Sequence, residues 1–157
     1  MADSPLYKSS LIKAMNLCSR REYCCNDIRK KLLLWGVPDD DVNRIISVLL
    51  NENFINELRY ASAFVRDKFN YNKWGKVKIT AHLKNNKITH EIINSALGSI
   101  DNETYIQCLK DLIKNHRRSV KAKNKYDLKA KLMRYAASKG YESSILYDLL
   151  NDMETNC

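Results

Sequence analysis

The chain has 157 residues, enough for one ordinary domain or a short array of repeats with a buried core. It is 45% hydrophobic but holds only four Gly and two Pro, too little turn-forming material for an all-β protein, so an all-α fold is expected. The formal net charge of +9, from 27 Lys plus Arg against 18 Asp plus Glu, makes a polyanion or an acidic protein surface a plausible partner, with a solvated lysine face as the bland alternative. No apolar run reaches the roughly 18 residues that span a bilayer, and the N-terminal MADSPLYKSS lacks an apolar signal core, so a soluble, unexported protein with no membrane partner is expected.

In chain order, residues 1–8 read as a flexible N-terminal arm. A first helix follows from a cap at Ser9 or Ser10, with Leu11, Ile12, Met15 and Cys18 as its apolar line, and ends near Ser19, Arg20 and Arg21. Asn26 or the residues just before it open the second helix, where Ile28, Leu32, Leu33 and Trp35 oppose Arg29, Lys30 and Lys31. Gly36 stops that helix in a left-handed turn, and Pro38 with Asp39, Asp40 and Asp41 starts the third, which runs to about Leu50. Asn56 caps a fourth helix carrying Leu58, Ala61, Phe64, Val65 and Phe69, and NYNKWG at 70–75 is a polar, aromatic loop. A fifth helix covers about 76–85, and Thr89 caps a sixth that Gly98 and Ser99 end. Asp101 caps a seventh built on Tyr105, Ile106, Leu109, Leu112 and Ile113. Residues 115–125, NHRRSVKAKNK, are too polar to pack and read as a loop or a loosely extended helix end. The eighth helix takes 127–139, Gly140 breaks it, and the ninth runs from Glu142 or Ser143 to about Asp152.

One pattern recurs three times. Ile28, Leu32, Gly36 and Val37 align with Ile79, Leu83, Lys87 and Ile88, and again with Leu132, Ala136, Gly140 and Tyr141. Each copy continues into two adjacent apolar pairs at helical spacing, as in Ile45-Ile46 with Leu49-Leu50. This predicts three tandem three-helix repeats, at 9–55, 56–100 and 101–153, stacked into an elongated, curved, right-handed or solenoid-like row. Within the repeats the middle helices are basic and the last helices acidic. A helix-turn-helix DNA reader competes with this reading, but its recognition helix would begin PDDDV, THEII or YESSI, aiming carboxylates at phosphates and base edges.

Five cysteines, Cys18, Cys24, Cys25, Cys108 and Cys157, form no CxxC, and His82, His90 and His116 lie apart from them, so reduced thiols and no metal site are expected. The adjacent Cys24 and Cys25 leave a vicinal redox role open. Trp74, in a polar loop, is the aromatic expected to be exposed and able to stack on a base or a partner surface. There is no Gly-rich phosphate loop, GxSxG or HExxH, and no compact carboxylate and His set, so neither catalysis nor a cofactor is expected.

Four segments in order, CSRREYCCNDIRKKLLLWGV, NFINELRYASAFVRDKF, KWGKVKITAHLKNNKI and KLMRYAASKGYESSILYDLL, together resemble the regulatory protein RecX family. The residues that carry the resemblance are Ser19, Arg20, Arg21, Glu22, Ile28, Lys31, Leu32, Gly36 and Val37, then Arg59, Tyr60, Ala61, Phe64, Val65 and Arg66, then Lys73, Trp74, Gly75, Lys78, Ile79 and Leu83. Trp35 stands where a basic residue is common and Lys87 where Gly is usual. The resemblance implies three tandem three-helix repeats and a cytoplasmic regulator that binds the groove of the RecA recombinase filament on DNA and inhibits its ATPase and strand exchange; a monomer that meets single- or double-stranded DNA without regard to sequence is expected. A sequence-independent DNA binder acting without RecA is the alternative. Charge and family pattern together nominate as partner-binding residues Arg20, Arg21, Arg29, Lys30, Lys31, Arg66, Lys73, Trp74, Lys76, Lys78, Lys84, Arg117, Arg118, Lys121, Lys123, Lys125, Lys129 and Arg134.

Overall fold

A computed structural model describes residues 3–155, among which there are nine α-helices and no strand. They are α1 (Pro5–Arg20), α2 (Cys25–Leu34), α3 (Asp39–Asn51), α4 (Glu57–Asn70), α5 (Lys76–Asn85), α6 (His90–Leu97), α7 (Asn102–Arg117), α8 (Lys125–Ser138) and α9 (Ser143–Thr155). The expected all-α class and the helix order are both found. Asn56, Thr89 and Asp101 cap α4, α6 and α7 as expected, accepting from the backbone N–H groups of Arg59, Ile92 and Thr104 at 2.9, 3.4 and 3.0 Å. No described helix is long and apolar enough to cross a membrane.

Several boundaries differ from expectation, each for a local reason. Helix α1 begins at Pro5, because Ser4 rather than Ser9 or Ser10 accepts from the Tyr7 N–H at 3.1 Å and Pro suits the first turn. The described part of the expected arm is therefore ordered: Tyr7 is buried, and Arg44 lies 4.3 Å over its ring while binding Asp3 at 2.7 Å. Residues 1 and 2 lie outside the described residues. Pro38 occupies the cap position of α3 in extended conformation, one place earlier than expected, which leaves Asp39, Asp40 and Asp41 as the first turn. The segment expected to be loose is short. Helix α7 continues to Arg117, and α8 starts at Lys125 because the Asn124 side chain accepts from the Asp127 N–H at 2.9 Å.

The threefold pattern has one backbone signature. Gly36, Lys87 and Gly140 all take positive φ, at 84°, 62° and 95°. The next residue then donates back into its helix: Val37 to Leu32 at 3.0 Å, Ile88 to Leu83 at 3.1 Å, and Tyr141 to Ala136 at 3.2 Å. This is the left-handed helix stop that glycine favours, and Lys87 adopts it despite its side chain.

The chain divides into two compact units. The first comprises the residues up to Ala63 together with Leu83–Ala96. Its core gathers Tyr7, Ala14, Tyr23, Ile28, Leu32, Val37, Val42, Ile45, Ile46, Leu49 and Ile55, with Trp35 partly buried against it. The second comprises Phe64–His82 and the chain from Leu97 onward, and its buried residues include Ile79, Tyr105, Leu109, Ile113, Leu132 and Leu146. In this unit the start of α5 crosses the end of α8 backbone to backbone. Gly75 N–H donates to the Lys139 carbonyl at 2.7 Å and Val77 N–H to the Gly140 carbonyl at 2.9 Å. A Cβ on Gly75 would stand 2.4 Å from the carbonyl carbon and oxygen of Gly140, and one on Gly140 would stand 2.2 Å from Lys78 Cβ.

Gly36 offers a control, since its positive φ is strained for other residues but a Cβ there meets nothing within 4 Å. Gly75→Ala is therefore expected to cost about 3 kcal/mol or more, by overpacking against backbone, and Gly36→Ala only about 1 kcal/mol. Urea unfolding of the two variants checks this, and equal losses would refute the close crossing.

Candidate partner-binding surface

The nominated cations fall in both units, and folding treats them unequally. In the first unit Arg20, Lys30 and Lys84 are exposed. Exposed Arg21 lies 4.2 Å over the Tyr23 ring and Lys31 5.9 Å from it. Arg29 donates to the Asn43 side-chain oxygen at 2.8 Å. Arg59, part of the RecX-like pattern, is structural: it pairs with Glu22 at 2.6 Å and donates to the carbonyls of Asn53 and Phe54 at 3.1 and 3.2 Å.

In the second unit the 71–75 loop is shaped from beneath by tyrosines. Lys76 N–H donates to the Tyr105 hydroxyl at 2.9 Å, and that hydroxyl donates to the Glu142 carboxylate. The Tyr141 hydroxyl donates to the Lys73 carbonyl at 3.0 Å, holding Lys73 at a φ of 59°. Trp74 is not the free ring that its polar neighbours suggest. It is half-buried, 4.7 Å from His82 and 6.3 Å from Phe64 between ring centroids, with the ammonium groups of Lys78 and Lys68 at 4.5 and 4.8 Å from its ring. The loop backbone, tied down by Gly75, folds the indole back onto α4 and α5. Lys76 also turns inward, its ammonium 4.7 Å over Tyr105. Lys129 is likewise engaged within the unit, donating to Asn151 at 2.8 Å and lying 5.1 Å over Tyr147.

What remains displayed in this unit is Arg66, Lys73 and Arg134, and above all the run Arg117, Arg118, Lys121, Lys123 and Lys125, all exposed. The last three flank a fixed turn. Lys131 donates to the Lys121 carbonyl at 2.6 Å and pairs with Asp127 at 3.2 Å, while Asp127 also accepts from the Lys123 N–H at 3.0 Å. These hydrogen bonds from Lys123 and Lys131 hold the Asp127 carboxyl below its ordinary pKa. Lys68 was absent from the sequence-derived set, although its place one turn after Phe64 on α4 signals the contact.

No group of three or more His, Cys, Asp or Glu placed to hold a metal occurs among the described residues. Cys18, Cys24, Cys25 and Cys108 are free thiols; Cys157 lies outside the described residues. Cys24 caps α2, accepting from the Asp27 N–H at 3.4 Å, and burial pushes its thiol up to about 12. Burial, and then the Glu57 charge, push Cys25 up to about 12 as well. Neither holds the thiolate at neutral pH that vicinal redox chemistry needs.

Family models for the first, second and third three-helix domains of RecX match residues 11–49, 56–97 and 103–150, in that order. The chain belongs to the RecX family. A regulatory protein RecX from Clostridioides difficile (strain 630) is 26% identical over 151 residues, covering 96% of this chain and 71% of the relative. RecX of Clostridium botulinum (strain Eklund 17B / Type B) is 30% identical over 127 residues, and there this chain spans only 59% of the relative's length. RecX of Vibrio campbellii is 28% identical over 133 residues, 85% of this chain and 84% of the relative. In fold, the chain is similar to a crystal structure of regulatory protein RecX, with a TM-score of 0.85 at 24% identity over 94% of this chain and 72% of that one. It is also similar to RecX from Lactobacillus salivarius, with a TM-score of 0.82 at 20% identity over 96% of this chain and 97% of that one. In this RecX chain the left-handed stop at Lys87 does without the glycine found at the equivalent turns after α2 and α8.

The buried thiols give a pH prediction. Burial also pushes the Tyr60 hydroxyl up to about 12. These groups keep their protons in the folded chain at pH values where the unfolded chain loses them. Stability they contribute is therefore fully present below about pH 9 and falls as pH rises toward 12. The thermal midpoint is expected to drop above pH 9, and Cys25→Ser, which removes one titrating group, to make that drop shallower; an unchanged slope in the variant would contradict the assignment.

Proposed function

We propose that this chain acts as a cytoplasmic, monomeric regulator of the RecA recombinase filament: it binds in the filament's groove on DNA and inhibits ATP hydrolysis and strand exchange, doing no chemistry of its own. Membership of the RecX regulatory family is the observation that carries this reading. The exposed cations support it, because a nucleoprotein groove offers both phosphates and acidic protein walls, and the units present Arg20 and Lys30 in the first and Arg117, Arg118, Lys121, Lys123 and Lys125 in the second. Within each unit, considered by itself, the contact is proposed to fall on these exposed cations. Trp74, Lys76 and Lys129 are set aside as groups that brace their own unit. Added to preformed RecA filaments on single-stranded DNA at physiological salt, the protein is expected to lower the steady-state ATPase rate and slow strand exchange; unchanged rates at saturating protein would end the proposal.

A second reading, a DNA binder acting without RecA, is favoured by the density of exposed lysines at 121–125. The two readings part on a salt titration of DNA binding without RecA. If these lysines meet phosphates, replacing Lys121, Lys123 and Lys125 by Gln reduces the slope of log affinity against log salt by about 0.9 per lost contact on duplex DNA. An unaltered slope places the lysines off the nucleic acid.

A further inference from the structure

Tyr126 is 86% exposed, the most exposed of the large hydrophobic side chains among the described residues. Leaving an aromatic ring in water forgoes the stabilisation of burial, and nothing in the fold of the second unit uses this one. Its setting is unusual in two ways. The ring follows Lys121, Lys123 and Lys125, all exposed, and the one acid beside it, Asp127, is occupied by the Lys123 N–H and the Lys131 ammonium. The turn that carries it is also held in one conformation, by the Asn124 cap on the Asp127 N–H and the Lys131 contact to the Lys121 carbonyl. An uncovered ring on a held turn, beside exposed cations and with the neighbouring negative charge compensated, suits a ligand that presents a flat π-face and phosphates together.

We propose that Tyr126 is a base-stacking platform for single-stranded nucleic acid, with Lys123 and Lys125 meeting the adjoining phosphates. A duplex keeps its bases stacked on one another and offers the ring no face, so Tyr126 discriminates strand from duplex while the lysines bind both. This deepens the reading of the second unit as a nucleic-acid contact and shifts the stacking role from Trp74, whose ring is already taken up by Lys68, Lys78 and His82, to Tyr126.

The test is fluorescence anisotropy of the full chain, without RecA, on a labelled oligothymidylate, on the same sugar-phosphate strand lacking bases, and on a duplex. Tyr126→Ala is expected to weaken oligothymidylate binding about tenfold and to leave abasic-strand and duplex binding unchanged, while Tyr126→Phe stays within about twofold of the parent. Equal losses on all three ligands, or no loss on any, overturn the proposal. So does a Tyr126→Ala chain that keeps full oligothymidylate affinity but no longer inhibits the RecA ATPase, which would assign the ring to a protein contact. Absence of any strand binding by the parent chain also overturns it, and leaves the filament proposal standing on its own ATPase assay.

Discussion

The second unit depends on two backbones meeting without side chains between them. Gly75 and Gly140 let the start of α5 lie directly on the end of α8, where amide and carbonyl groups that would otherwise need water satisfy one another at 2.7 and 2.9 Å. Everything around the 71–75 loop follows from that closeness. It brings Lys76 N–H to the Tyr105 hydroxyl and the Lys73 carbonyl to the Tyr141 hydroxyl, tying the loop to side chains from α7 and from the turn before α9. It also turns Trp74 back onto Phe64 and His82. Two glycines thus decide how the 71–75 loop and the lysines beside it are held against their own unit.

The left-handed stop at Gly36, Lys87 and Gly140 is a second constraint of the same kind, and it makes the threefold repeat physical. Each stop closes a helix by a bond from the following apolar residue, so Val37, Ile88 and Tyr141 are delivered into a core at the same step of each copy. That the chain places Lys in one of these positions means the surrounding contacts outweigh about 1 kcal/mol of backbone strain there. The gain is visible locally: Ile88 is buried and Leu83, which accepts its bond, is fully buried.

Much of this was legible because it is written in short-range terms. Apolar spacing, Asn56, Thr89 and Asp101 as caps, and Gly36 and Gly140 as stops act within a few residues, and the helices follow them. The misreadings share a cause. Ser4 wins over Ser9 as a cap because Tyr7 and Asp3 are held by Arg44, a residue 41 positions from Asp3. Gly75 looks like ordinary loop punctuation until Gly140 is known to lie against it. Trp74 reads as exposed because its sequence neighbours are polar, whereas its spatial neighbours come from α4 and α5. Residues 115–125 do form a helix end and an exposed loop, as their polarity suggests; what it did not signal is that Asp127 and Lys131 order the backbone of that loop.

The same distinction governs how the net charge of +9 should be read. A formal charge counts Lys76, Lys78 and Lys129 with Lys123 and Lys125, yet the first three spend their ammonium groups on Tyr105, Trp74 and Tyr147. A cation that must leave an aromatic face or a hydrogen bond to reach a phosphate gives up an interaction worth about 0.5–1 kcal/mol at an exposed site, much of what a new surface contact returns. A cation on a preset turn gives up no such contact, and the backbone that carries it is already ordered, so less of its binding free energy is consumed in fixing it. The charge least committed to the fold is therefore concentrated where lysines are exposed on a turn whose backbone is already held, which in the second unit is the short turn from Lys121 to Lys125 beside Tyr126.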